Sequence, residues 1–65
     1  MMKLKIEDIQ EPRGPGQGEI TGRNADNQAV KITVNNKDWH LFVDADVDLG
    51  DAAYYDPEKR TWRRA

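Results

Sequence analysis

Cysteine and serine are absent from this chain of 65 residues, and histidine occurs once. Without cysteine, neither a disulfide nor a thiolate metal site can form, so good packing or a partner chain must stabilise so small a fold. With His40 as the only histidine and no serine, the common nucleophile–base pairs of covalent catalysis cannot be built. The absence of cysteine is also compatible with a reducing compartment.

Long apolar runs are absent as well. No segment approaches the roughly 20 apolar residues that a membrane-spanning helix needs. The N-terminal segment MMKLKIEDIQ alternates charged with apolar residues, so it lacks the continuous apolar stretch of a signal peptide. We therefore expect a soluble, cytoplasmic protein that forms one small domain over residues 1–65.

Two segments resemble ligand-binding loops but lack the residues that such loops require. The acidic segment DADVDLGD, residues 44–51, has Leu49 and Tyr55 where a calcium-binding EF-hand loop needs glycine and a bidentate glutamate. The segment GPGQG, residues 14–18, lacks the lysine and the following helix of a phosphate-binding loop. We therefore expect no metal site, no cofactor, no catalytic residue and no enzymatic activity.

Alternation of apolar and polar residues predicts an all-β protein. The clearest run is AVKITVN, residues 29–35, because its apolar β-branched residues share one face. Further strands are predicted at residues 3–10, 17–24, 39–44, 51–56 and 60–64. Residues 11–18 hold three glycines and two prolines and predict a long loop. A single helical turn is possible between Asp44 and Gly50.

These strands predict a small antiparallel barrel of five to six strands, since curling covers the open face and edges of a flat sheet. An OB-like and an SH3-like barrel both fit. The Gly50-Asp51 step before an aromatic strand favours the OB-like barrel, whereas the lack of a predicted helix between the third and fourth strands favours the SH3-like one. The expected core contains Leu4, Ile6, Ile20, Val30, Ile32, Val34, Leu41 and Val43.

Charges and rings are concentrated in the C-terminal part of the chain. Residues 39–64 contain all five aromatic side chains. Residues 41–58 carry six acidic side chains and no basic one, and residues 59–65 add four basic side chains. Such segregation can produce local potentials of both signs, although charges of this kind also serve only to keep a small protein soluble.

Outward-facing rings beside arginines form the candidate binding surface. On a strand over residues 39–44, the side chains of His40 and Phe42 face solvent, and either Tyr54 or Tyr55 faces solvent on the next strand. Exposed rings near arginines stack unpaired bases and bind phosphates, whereas buried rings would only fill the core. The candidate nucleic-acid-binding residues are His40, Phe42, Tyr54, Tyr55, Lys59, Arg60, Trp62, Arg63 and Arg64, with Arg13 from the loop.

Two functions are compatible with this surface. We expect a non-catalytic binding module whose ligand is single-stranded DNA or RNA. The alternative is a protein-interaction module, because exposed rings and arginines also dominate protein interfaces. In that case a peptide groove, an open edge strand or a homodimer contact would form the interface, and the aspartates would recognise a basic partner.

Overall fold

A computed structural model describes all 65 residues. It contains β1 (Met2–Gln10), β2 (Gly18–Arg23), β3 (Ala29–Val34), α1 (Asn36–Asp44), β4 (Ala52–Asp56) and β5 (Thr61–Arg64). The five strands form one antiparallel sheet in the order β3-β2-β1-β4-β5. The prediction of a small, mostly antiparallel β protein is confirmed at this level. The sheet is not closed, because β3 and β5 are its two edges.

β1 connects the two halves of the sheet. Residues 2–5 pair with β4, and residues 5–10 pair with β2. The register shifts between Ile6 and Asp8, which inserts one extra residue opposite β2. Because such a bulge bends a strand and increases its twist, β1 can turn from one half of the sheet into the other.

Residues 39–44 are helical, so the prediction of a strand there is wrong. The side chain of Asn35 caps α1, since its Oδ1 accepts a hydrogen bond of 2.8 Å from the backbone N–H of Asp38. A helix presents residues three and four apart on one face, unlike a strand. Phe42 is consequently buried with 2% exposure, whereas Val43 is 52% exposed. The helix also ends where a single helical turn was predicted to begin, at Asp44.

The core lies between one face of the sheet and α1. It consists of Leu4, Ile6, Ile20, Ile32, Val34, Phe42, Val47, Ala53, Tyr55 and Trp62. Five of the eight predicted core residues are among them, namely Leu4, Ile6, Ile20, Ile32 and Val34. Val30 and Leu41 are half-buried, and Val43 lies outside the core. α1, the only helix, is too short and too polar to cross a bilayer.

Candidate nucleic-acid interface

Three of the candidate aromatic residues are part of the core. Phe42, Tyr55 and Trp62 are 2%, 7% and 7% exposed. The ring of Trp62 lies edge-on to Phe42 at 5.1 Å between centroids and packs on Tyr55 at 4.6 Å. The prediction that Phe42 faces solvent is therefore wrong, and of the two adjacent tyrosines Tyr55 is the inward one. Trp62 fills the core and is not part of an exposed binding surface. A sheet of this size needs large aromatic side chains to fill the space beneath α1.

Tyr54 is the ring that β4 turns to the outer face. Residues along β4 alternate between half-buried and buried, and Tyr54 is half-buried, which agrees with the expectation that one of the two adjacent tyrosines faces outward. It pairs with Lys3 on β1 and with Arg63 on β5. The Lys3 Nζ lies 5.9 Å and the Arg63 Cζ 5.2 Å from the centroid of its ring. We call these three residues the Tyr54 row.

Two of the candidate arginines are paired with carboxylates. The Arg60 Nη1 lies 2.9 Å from the Oδ2 of Asp38. The Arg64 Nη1 lies 3.5 Å from the Oδ2 of Asp46, and its Nε lies 4.0 Å from the Oδ2 of Asp51. These two side chains are partly neutralised by the protein itself and therefore offer less attraction to a phosphate.

The other candidate cations have no carboxylate within 4.0 Å. Arg63 belongs to this group, as do Lys59 in the β4–β5 turn and Arg13 in the β1–β2 loop. Lys3 was not among the predicted residues, but it also has no carboxylate within 4.0 Å and lies beside Tyr54. Its outward direction follows from the alternation of β1, but its neighbour depends on β1 pairing with β4, which the sequence pattern does not specify.

His40 is separated from the Tyr54 row. It lies exposed on α1, and α1 packs on the inner face of the sheet through the contact of Phe42 with Trp62. Because neighbouring side chains on β5 point to opposite faces, Trp62 and Arg63 face away from each other. The structure therefore brings together Tyr54 and Arg63 from the candidate set, and not His40.

A polar cleft of about 500 Å³ opens between the edge strand β3 and the β4–β5 turn. Its lining residues are Gln17, Lys31, Ile32, Thr33, Tyr55, Pro57 and Arg60. Burial raises the pKa of the Tyr55 hydroxyl, the positive charge of Arg60 opposes this, and the carboxylates of Asp38 and Asp56 add to it.

The Tyr54 row and the carboxylates differ in how far they meet the requirements of ligand sites. No three histidine, aspartate or glutamate side chains lie close enough together to hold a metal ion. The Tyr54 row supplies an aromatic face and two cations, which are the groups that bind bases and phosphates. Comparison of the chain with protein-family models, with curated proteins and with solved structures finds no match.

Proposed function

We propose that the protein is a non-catalytic module of OB-like architecture that binds single-stranded DNA or RNA on the Tyr54 row. The observation that supports this function is the ring of Tyr54, which lies on the outer face between the Nζ of Lys3 and the guanidinium of Arg63. Both cations lack a carboxylate partner within 4.0 Å.

The order of the elements favours an OB-like over an SH3-like architecture. α1 follows β3 and precedes β4, and the expectation of an SH3-like meander depended on there being no helix at that position. β1 also pairs with both halves of the sheet, as a strand shared by two sides of a small barrel would. OB barrels often bind oligonucleotides, which supports the function only by analogy of fold.

A nucleotide would use the two kinds of group in the Tyr54 row differently. A base stacks on the tyrosine ring or on the guanidinium plane of Arg63, and the adjacent phosphates meet the ammonium group of Lys3 and that of Lys5 two residues along β1. The carboxylate of Asp56 also lies near this surface. Its Oδ1 is occupied within the protein, because it accepts hydrogen bonds of 3.0 and 3.3 Å from the backbone N–H groups of Glu58 and Lys59. One ring gives about 1–3 kcal/mol of stacking per base, so we expect modest affinity.

Arg63 and Arg64 provide a matched pair of variants for testing this proposal. They are adjacent and exposed on β5, but only Arg63 contacts Tyr54 and only Arg64 has carboxylate partners. Binding of a fluorescent oligothymidylate of about 15 nucleotides would be followed by anisotropy over a range of salt concentrations. We expect Arg63→Ala to weaken binding and to reduce the salt slope by about 0.7, the value for one lost phosphate contact. Arg64→Ala should change both much less.

Tyr54→Leu separates stacking from charge. This variant keeps an apolar side chain on β4 and removes the aromatic face, so affinity should fall by about 1–3 kcal/mol while the salt slope stays unchanged. A thermal melt of each variant checks that the fold is retained. Failure of the unmodified protein to bind the oligonucleotide at low salt would refute the proposed function, as would equal effects of Arg63→Ala and Arg64→Ala.

A further inference from the structure

An apolar groove lies between α1 and the end of β1, on the helix side of the sheet. It has a volume of about 320 Å³ and is lined by Ile9, Trp39, Phe42, Val43, Asp46, Val47 and Asp48. The buried side chains of Phe42 and Val47 form its floor. Trp39 is half-buried and stacks on Phe42 with 5.7 Å between ring centroids, so it forms a wall of the groove that solvent still reaches.

One strongly exposed apolar side chain lines this groove, and a second directly follows a lining residue in the sequence. Only Met1, Val43 and Leu49 are large hydrophobic residues with high exposure, at 75%, 52% and 62%. Val43 lines the groove, and Leu49 directly follows the lining residue Asp48. In a chain with 34% charged residues, such a local group of apolar side chains beside a tryptophan is typical of a protein interface.

The rim of the groove is strongly negative. The carboxylates of Asp46 and Asp48 line it, and Asp44 and Asp51 lie two and three residues from them along the chain. The only cation within 4.0 Å of these four carboxylates is Arg64, at 3.5 Å from Asp46 and 4.0 Å from Asp51. Asp44 ends α1, and the last turn of this helix has no basic residue. Because the C-terminal end of a helix carries partial negative charge, the carboxylates and the helix repel one another until a cation is nearby.

We propose that this groove binds a basic amphipathic helix of a partner protein. One apolar side chain of that helix enters between Trp39 and Val43, and lysines or arginines three and four residues away meet the aspartates of the rim. A helix is suited to this arrangement because residues at that spacing share one face. The negative rim repels a nucleic acid, and it repels a second copy of this chain docked through its own α1.

A pair of synthetic peptides provides the probe. One is a helix of about 16 residues with leucines on one face and lysines on the other, and its counterpart has glutamate in place of every lysine. Val43→Ser combined with Leu49→Ser should weaken binding of the lysine peptide roughly tenfold, because the apolar anchor loses its contacts. Met1→Ser is the control, since Met1 is the other exposed large hydrophobic residue and should leave binding unchanged.

Charge variants test the rim separately. Asp44→Asn combined with Asp48→Asn should weaken binding of the lysine peptide and flatten its salt dependence. Asp26→Asn, which removes a carboxylate from the exposed β2–β3 turn, should change neither quantity. The altered residues in all of these variants are exposed, and thermal melts check that the fold is retained. Arg63→Ala should leave peptide binding unchanged, so this test does not depend on the nucleic-acid proposal.

Several results would overturn the assignment of the groove. Equal affinity for the lysine and glutamate peptides would do so, as would a loss with Met1→Ser equal to that of the double serine variant. Sedimentation of the free protein as a dimer that the double serine variant dissociates would assign the groove to a second copy. Oligonucleotide-induced chemical-shift changes confined to residues 39–49, with none from the lysine peptide, would assign it to nucleic acid.

Discussion

The Nη1 of Arg60 lies 2.9 Å from the Oδ2 of Asp38, which joins the β4–β5 turn to the first turn of α1 across 22 residues of sequence. The Asp38 side chain is only 7% exposed, whereas that of Arg60 is 58% exposed. Asp38 also lies near the positive end of the helix dipole, where a carboxylate is stabilised. The pair therefore holds the helix against the β4–β5 hairpin.

Loss of this pair should reduce stability more than loss of the pairs made by Arg64. Arg60→Ala leaves a buried carboxylate without its partner, and we expect the free energy of unfolding to fall by about 1–2 kcal/mol. Arg64→Ala removes longer contacts between exposed groups and should cost less than about 0.5 kcal/mol. Urea unfolding measures both values. Equal losses would contradict the structural role of Arg60.

Two adjacent residues of α1 distinguish a helix from a strand at this position. Phe42→Ala empties a buried site that contacts Trp62, and we expect a loss of about 3–5 kcal/mol, which would leave so small a domain largely unfolded. Val43→Ala changes an exposed side chain and should cost less than about 0.5 kcal/mol. The thermal midpoints of the two variants give the comparison. The reverse order of effects would indicate the strand that the sequence pattern predicted.

The strands could be predicted from the sequence because their apolar residues repeat every second position, as in Ile32 and Val34 of β3. Residues 39–44 also alternate, but the longer segment from Asn35 to Val43 is compatible with a helix as well. Asn35 is a favourable cap, and Trp39, Phe42 and Val43 have the spacing of a helix face. Local pattern did not distinguish the two possibilities over so short a segment. Packing of Phe42 on Trp62 favours the helix.

The candidate site was less predictable than the fold, because it depends on long-range pairing. Alternation of β4 predicted that one tyrosine faces outward, and Tyr54 does so. Which cations lie beside it depends on the order of strands in the sheet, which places Lys3 and Arg63 on either side. Whether an arginine is neutralised depends on contacts such as that of Arg60 with Asp38. These contacts join residues far apart in sequence, so no local pattern indicates them.

Gly18 should be intolerant of any side chain. A Cβ at this position would overlap the carbonyl oxygen of Gln10 and would lie 2.7 Å from the backbone N of Pro12. Both contacts are with backbone atoms that cannot move without displacing the β1–β2 loop, so Gly18→Ala should lower the thermal midpoint strongly. Gly14→Ala is the control: its Cβ would meet no atom within 4 Å, and only the positive φ of 55° opposes it, by about 1–2 kcal/mol.

Stability at alkaline pH should depend on Tyr55. Burial raises the pKa of its hydroxyl above the ordinary value of 10.0, so the folded state keeps this proton at a pH where the unfolded state has lost it. The free energy of unfolding should be insensitive to this group below pH 10.0 and should fall as the pH rises from there through the higher pKa of the folded state. Tyr55→Phe keeps the ring and should reduce this fall. Urea unfolding between neutral and alkaline pH provides the measurement, and an unchanged profile would contradict it.

The negative charge of Asp44 should lower the stability of the protein and strengthen binding of the lysine peptide. This residue ends α1 with a negative charge where a positive one is favoured, so Asp44→Lys should raise the free energy of unfolding by about 0.3–1 kcal/mol. The same substitution places a cation on the rim of the groove and should weaken binding of the lysine peptide. Asp26→Lys makes the same change of charge in the β2–β3 turn and should affect peptide binding little. If Asp44→Lys neither stabilised the protein nor weakened the peptide, the negative charge at this helix end would have no role in docking.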